Sequence, residues 1–171
     1  MRIEGKVVAF GDDINTDVLH PSRFYSLDRL TVAGGVNTKL RAEASDATPS
    51  PQIIVGGRNF GYGSSRETTM QALLSNGVQA VVAHTISRIF WRNAINAGLW
   101  VFECRDESAL DLVRSSERVV VDCQLTSVYV PSSDSWVDLR GPDQYERDLL
   151  IAGGLIAWMQ LEQSCVDDRG S

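Results

Sequence analysis

A regular alternation of apolar and helix-forming stretches between residues 52 and 102 limits the fold more than any other feature of the sequence. Apolar runs typical of buried strands occupy residues 53–55, 80–83 and 99–102, and patterns typical of amphipathic helices occupy residues 65–76 and 87–97. Gly77 and Gly98 follow the two helical patterns, where a left-handed cap commonly ends a helix. Strands that alternate with helices form a parallel sheet, because each helix carries the chain back over the sheet. The sequence therefore predicts an α/β fold built on a β-α-β-α-β unit, with both helices on one face of a small parallel sheet.

The rest of the chain adds strands and one helix to this unit. Further strand patterns occupy residues 5–10, 119–121 and 127–130, and a final helical pattern at residues 144–160 is loosened by Gly153 and Gly154. The stretch 41–51 is typical of a surface loop, and residues 167–171 are typical of a flexible tail. At 171 residues, the chain is expected to form a single domain over residues 1–171.

Composition argues against several classes of partner. Hydrophobic residues make up 43% of the chain and charged residues 22%, as in an ordinary folded, soluble protein. The net charge of −6 and the lack of a basic cluster argue against nucleic acid. The sequence has no apolar stretch long enough to cross a membrane, and its first ten residues lack the apolar core of a signal peptide. We therefore expect no membrane partner and a cytoplasmic location.

Cysteine and histidine usage gives little support for a metal site on this chain. The cysteines Cys104, Cys123 and Cys165 are widely spaced, and only His20 and His84 could join them as ligands. We expect reduced thiols, and no metal or cofactor bound by this chain alone.

The segment between the strand pattern at 53–55 and the first helical pattern reads Asn-Phe-Gly-Tyr-Gly-Ser-Ser-Arg-Glu and spans residues 59–67. Its two serine hydroxyls, the Arg66 guanidinium and the free N–H groups of a helix start would together bind a carboxylate or a phosphate. A purely structural interpretation is helix capping, with Ser64 and Glu67 as a capping box. Capping accounts for one serine but not for Arg66, whose charge opposes the helix dipole at that end. We therefore predict an anion site here, at the carboxyl ends of the strands.

Loop motifs of other protein classes do not match. The segment lacks the third glycine of a dinucleotide-binding fingerprint, the Gly-Lys-Ser/Thr of a P-loop and the Gly-x-Ser-x-Gly of a hydrolase elbow. Asp13, Asn15 and Asp17 alternate as in a calcium loop, but the closing position holds Phe24. An Asx-type turn, in which these side chains hold the backbone, is the better interpretation. His84 is interpreted as a hydrogen-bonded loop residue, with a catalytic role as the alternative.

Four segments keep a characteristic order along the first two thirds of the chain. They are residues 11–17 (Gly-Asp-Asp-Ile-Asn-Thr-Asp), 21–24 (Pro-Ser-Arg-Phe), 59–67 and 87–96 (Ser-Arg-Ile-Phe-Trp-Arg-Asn-Ala-Ile-Asn). Together they resemble the small subunits of 3-isopropylmalate dehydratase, in the aconitase superfamily. The resemblance implies a swivelling β/β/α domain that works only when docked on a large subunit carrying a [4Fe-4S] cluster. It also implies a dehydration and rehydration of a malate-type dicarboxylate in leucine biosynthesis, with iron as the Lewis acid.

The same resemblance assigns roles to individual residues. Ser64 would be the base that removes the proton alpha to a carboxylate, because the helix N-terminus and Arg66 would stabilise its alkoxide. Ser65 and Arg66 would bind that carboxylate. Asp17 would be a second catalytic residue, and Thr16 beside it would contact the substrate.

A short stretch after Phe24 resembles the segment that selects the substrate in these subunits; it consists of Tyr25, Ser26 and Leu27. Members that act on tricarboxylates carry arginine at the position of Ser26, so this chain is expected to accept an alkyl-substituted malate, isopropylmalate first. Tyr62 and Thr68 depart from the residues usual in the family, which leaves open a related hydro-lyase for another substituted malate. A non-catalytic anion-binding module of the same fold and an independent serine hydrolase are further alternatives.

Overall fold

The computed structural model describes residues 1–41, 49–63 and 66–167, the last three of them by backbone alone. Within these residues the chain forms a seven-stranded mixed sheet. Its strands are β1 Arg2–Ala9, β2 Gln52–Gly56, β3 Val78–Ala83, β4 Trp100–Glu103, β5 Arg118–Asp122, β6 Ser127–Val130 and β7 Ser135–Asp138. Their order across the sheet is β4-β3-β2-β1-β5-β6-β7. Strands β1 to β4 are parallel, while β5 pairs antiparallel with β1, β6 with β5 and β7 with β6.

Helices connect these strands and cover the sheet. In the described part of the chain they are α1 Thr16–Leu19, α2 Arg29–Gly34, α3 Glu67–Ser75, α4 Arg88–Ala97, α5 Glu107–Arg114, α6 Gln144–Ala152 and α7 Leu155–Asp167, with 3-10 turns at Ser22–Phe24 and Pro131–Ser133. Helices α3 and α4 pack against each other, as right-handed crossovers require. Ile53, Ile54 and Val55 of β2 are fully buried, as expected for a strand covered on both faces. The predicted β-α-β-α-β unit with additional strands is confirmed.

The first crossover helix begins later than predicted. Helix α3 begins at Glu67, and Arg66 is its N-cap residue without a side-chain capping bond. The predicted capping box is therefore wrong, because Glu67 is the first helical residue and not the third. The chain just upstream is held away from helical geometry by a bridge between Tyr62 and Asn15. Ser64 and Ser65 lie outside the described residues.

Other differences from the sequence prediction occur in the second half of the chain. The predicted helix at 144–160 is two helices, because Gly153 and Gly154 adopt positive φ angles of 93° and 110° and end α6. Helix α5 and edge strand β7 were not predicted. Most of the predicted loop 41–51 and tail 167–171 lies outside the described residues, and the single-domain expectation stays a prediction.

Candidate active site

The loops that follow the parallel strands meet at one edge of the sheet. Strand β1 ends at Ala9, β2 at Gly56 and β3 at Ala83, and parallel strands place their carboxyl ends together. We call residues 11–17 the aspartate loop and residues 57–63 the glycine loop. This edge is the place at which the sequence predicts an anion site.

Backbone hydrogen bonds join the aspartate loop to the glycine loop. Two N–H groups of the glycine loop donate to the aspartate loop: that of Gly57 to Gly11 O (2.9 Å) and that of Gly61 to Ile14 O (2.7 Å). Two N–H groups of the aspartate loop donate in return: that of Asp13 to Arg58 O (2.8 Å) and that of Thr16 to Tyr62 O (3.0 Å). Bonds that run in both directions between two loops fix each loop relative to the other. The first turn of α1 is therefore held beside the end of the glycine loop.

The polar side chains of the aspartate loop support this junction. Asp12 Oδ1 accepts a hydrogen bond from the Arg58 N–H at 2.7 Å, and Asp13 Oδ1 accepts from Asn59 Nδ2 at 2.9 Å. Asn15 Oδ1 accepts from the N–H of Asp17 at 2.9 Å and caps α1. The Asx-type interpretation is confirmed for Asn15, but Asp13 binds the neighbouring loop instead of its own backbone.

Helix α4 holds the other side of the glycine loop. Ser87, its N-cap residue, donates from Oγ to Gly61 O at 2.7 Å and accepts from the Phe90 N–H at 3.3 Å. Gly61 has a φ of 73°, and a Cβ added there would collide with the Phe90 ring. Only glycine fits this position without displacing the helix. His84 lies in a loop and donates its backbone N–H to Gly57 O at 3.1 Å, but its buried Nδ1 has no hydrogen-bond partner in the described part of the chain. Its catalytic alternative stays a prediction.

Three residues predicted for the site meet in space, although they come from three segments. The Arg66 guanidinium carbon lies 4.8 Å from the centroid of the Tyr25 ring. The Tyr25 hydroxyl donates to Asp17 Oδ1 at 3.3 Å. We call these side chains the Arg66–Tyr25–Asp17 cluster. It brings a cation, a phenol and a carboxylate together at the N-terminal end of α3.

The remaining predicted site residues lie around this cluster in different environments. Thr16 is only 1% exposed, so its side chain is enclosed by this chain. The Ser26 hydroxyl accepts from the N–H of Asp28 at 3.0 Å at the start of α2. Leu27, at 105% relative exposure, projects fully into solvent. The substrate-contact role of Thr16 and the specificity roles of Ser26 and Leu27 stay predictions.

Comparison with known proteins places the chain in a family. The sequence profile described as the aconitase C-terminal domain matches residues 17–107. A 3-isopropylmalate dehydratase small subunit from Halothermothrix orenii is 34% identical over 157 residues, which cover 91% of this chain and 94% of the relative. The chain belongs to the aconitase C-terminal domain family.

Further relatives of this aconitase C-terminal domain carry two different names. The 2,3-dimethylmalate dehydratase small subunit of Eubacterium barkeri is 32% identical, over 93% of this chain and 97% of the relative. The crystal structure of 3-isopropylmalate dehydratase from Methanocaldococcus jannaschii matches with a TM-score of 0.82 and 28% identity, over 100% of both chains. The resemblance drawn from sequence motifs and the predicted fold class are confirmed.

The aconitase C-terminal domain contains one site residue that the sequence reasoning did not assign to the cluster. His20 is fully buried, donates from Nε2 to Val32 O at 3.0 Å, and has its ring centroid 5.3 Å from that of Tyr25. Burial lowers the pKa of His20, while the bond to Val32 O and the charge of Asp17 act in the opposite direction. The only sequence signal for this role is a histidine directly before Pro21, and it does not show how the ring packs.

An iron–sulfur cluster does not fit the described part of this domain. Among those residues, no group of three or more His, Cys, Asp or Glu side chains could hold a metal ion. Cys104 and Cys123 are both buried, and burial raises the pKa of each thiol, to about 11 for Cys123. Thiols in this state are poor metal ligands.

No helix of the described chain is both long and apolar enough to cross a membrane.

Proposed function

We propose that this chain is the small subunit of a two-subunit hydro-lyase that converts 2-isopropylmalate to 3-isopropylmalate by dehydration and rehydration, in leucine biosynthesis. The observation that carries the proposal is the Arg66–Tyr25–Asp17 cluster at the carboxyl edge of the sheet. It supplies a cation for a substrate carboxylate, and Arg66 directly follows the two serines in the sequence. Relatives of similar length that are named small subunits of this dehydratase support the assignment.

The part of this chain in the reaction would be to bind a carboxylate and to move a proton. Arg66 and Ser65 would hold the carboxylate, and the N-terminus of α3 would add its positive field. Ser64 would take the proton from the carbon alpha to that carboxylate. On rehydration the hydroxyl group would be added to this same carbon, while Ser64 would return a proton to the neighbouring carbon that had lost its hydroxyl group. Asp17 would orient groups across the cleft. We place the [4Fe-4S] cluster on the large subunit, and the cytoplasmic location stays a prediction.

A different alkylmalate is a second candidate substrate, and two observations favour it. A relative of 32% identity is named for 2,3-dimethylmalate. Tyr62, in the glycine loop, is 38% exposed and stands where the family usually has a small residue. A larger side chain at this place would favour a smaller alkyl group. Both candidate substrates agree with the absence of a positively charged side chain at residues 25–27.

Reconstitution with the large dehydratase subunit encoded in the same genome tests the proposal. We expect no turnover by either chain alone, and turnover of 2-isopropylmalate by the pair. Parallel assays with 2,3-dimethylmalate and homocitrate compare the two candidates, and activity on homocitrate would contradict our interpretation of Ser26. A pair that forms no complex, while this chain alone binds dicarboxylates tightly, would favour a non-catalytic anion-binding module.

Substitution of Ser64 tests the assigned base. In the assembled pair, Ser64→Ala should lower kcat at least about 100-fold, because general base catalysis commonly contributes that much. Ser164→Ala, on the exposed face of α7, is the matched control and should leave kcat unchanged. Turnover by Ser64→Ala within a few-fold of the wild type would show that another group takes the proton.

A further inference from the structure

Arg66 occupies a position where a cation is electrostatically unfavourable. It is the N-cap residue of α3, and the N-terminal end of a helix carries a partial positive charge. No ion pair of Arg66 occurs within the described ranges; its side chain contacts the Tyr25 ring there. An aromatic face attracts a guanidinium without bringing a negative charge to it. The positive charge of Arg66 therefore stays available to an incoming carboxylate.

Tyr25 is itself held by the interior of the protein. Its half-buried ring lies 5.3 Å, between centroids, from the imidazole of the fully buried His20. His20 is in turn bound to Val32 O of α2 at 3.0 Å. A surface arginine on a flexible stem would otherwise lose side-chain entropy on binding a ligand. The ring therefore gives Arg66 a support that is fixed to the core.

The hydroxyl group of Tyr25 contacts the second member of the cluster. It donates to Asp17 Oδ1 at 3.3 Å, while the ring of the same side chain lies against Arg66. Asp17 and Arg66 belong to α1 and to the N-cap of α3, and no ion pair joins them in the described part of the chain. One side chain thus connects the aspartate loop with the start of α3.

We propose that Tyr25 is a positioning residue that presets the Arg66 guanidinium and the Asp17 carboxylate before the dicarboxylate arrives. This role rests on the proposed function, and it differs from a role in lining the pocket for the alkyl group. The ring acts on carboxylate binding through Arg66. The hydroxyl group acts on turnover through Asp17.

Two substitutions separate the ring from the hydroxyl group in the reconstituted pair. Tyr25→Phe keeps the ring, so KM for 2-isopropylmalate should stay within about two-fold, while kcat falls about 2- to 10-fold with the loss of one hydrogen bond. Tyr25→Leu removes both contacts and should also raise KM about 3- to 30-fold, the range expected for one cation–π contact. Tyr129→Phe is the matched control. It removes a hydroxyl group of β6 that donates to Asp134 Oδ1 at 2.8 Å, and it should change neither KM nor kcat.

A measurement on the full chain without its partner tests the contact itself. In ¹H–¹⁵N spectra, the Arg66 Nε–H signal, identified by its loss in Arg66→Lys, should be displaced by the ring current of Tyr25. The displacement should persist in Tyr25→Phe and disappear in Tyr25→Leu. An undisplaced signal in the wild type would overturn the inference.

The kinetic outcomes distinguish the inference from the function on which it rests. An active wild-type pair with an unchanged KM in Tyr25→Leu would overturn the positioning role and leave the proposed function standing. An inactive wild-type pair, with cluster-loaded large subunit present, would overturn the proposed function and the role of Tyr25 with it. A KM that rises equally in Tyr25→Phe and Tyr25→Leu would overturn the division between ring and hydroxyl group.

Discussion

At the residue scale, the buried His20 makes the stability of the site region depend on pH. Burial lowers the pKa of this histidine below its ordinary value of 6.5. When the pH falls below about 6.5, His20 takes up a proton in the unfolded chain but not in the folded chain. The free energy of unfolding therefore falls, by at most about 1.4 kcal/mol per pH unit for one group. Above that pH both states are neutral and the contribution is constant. Urea unfolding of the wild type between pH 8 and 5 should show this loss.

Comparison with His20→Gln isolates the contribution of this one group. The glutamine amide can still donate to Val32 O but does not titrate, so the variant should lose less stability than the wild type as the pH falls. Parallel losses in the two proteins would assign the pH dependence to other groups. The sequence could not indicate this role, because it depends on the packing of His20 against Tyr25 and Val32, which lie 5 and 12 residues further along the chain.

At the element scale, the strands and helices of the β-α-β-α-β unit were predictable because their signals are local. Apolar runs marked β2 and β3, and Ser87 with Gly98 marked the two ends of α4. Helix α5 was missed although its local signals are clear, since Asp106 caps it and the buried Leu110 and Val113 lie at helical spacing; it is short, at only eight residues. Strand β7, with one buried residue at the sheet edge, carries a weak pattern. The Arg66–Tyr25–Asp17 cluster has no local signal, because its members come from separate segments.

The packing of the glycine loop against α4 leads to a prediction for Gly61. Gly61→Ala should lower the free energy of unfolding by about 2–4 kcal/mol, because it combines a left-handed backbone with a collision against the Phe90 ring. Gly153→Ala is the matched control, since Gly153 also has a positive φ but an added Cβ there would only reach Ala157 at 3.9 Å. It should cost about 1–2 kcal/mol. Equal losses in the two variants, measured by urea unfolding, would mean that the ring contact does not restrain the loop.

At the scale of the whole molecule, the described chain supplies a sheet edge that gathers the candidate site residues, but no group of three or more side chains that could hold iron. The parallel strands bring three loops to one edge, and α4 and the core-anchored Tyr25 hold them there. Cys104 and Cys123 lie in the core, where they are shielded from metals and oxidants. The proposed function implies a division of labour with a second chain: this chain would bind the carboxylate and move the proton, and its partner would carry the cluster.

This division predicts different responses of the two chains to metal removal. Treatment with a chelator and an oxidant should abolish turnover by the assembled pair. The melting temperature of the isolated small chain should change by less than about 1 °C after the same treatment. Loss of a tightly bound metal would instead lower that temperature by several degrees. The treated small chain, once freed of reagents, should restore full activity when mixed with a cluster-loaded large subunit. If only an untreated small chain restores activity, this chain holds a metal that the reaction needs. That outcome would contradict the proposal that iron lies on one subunit and proton transfer on the other.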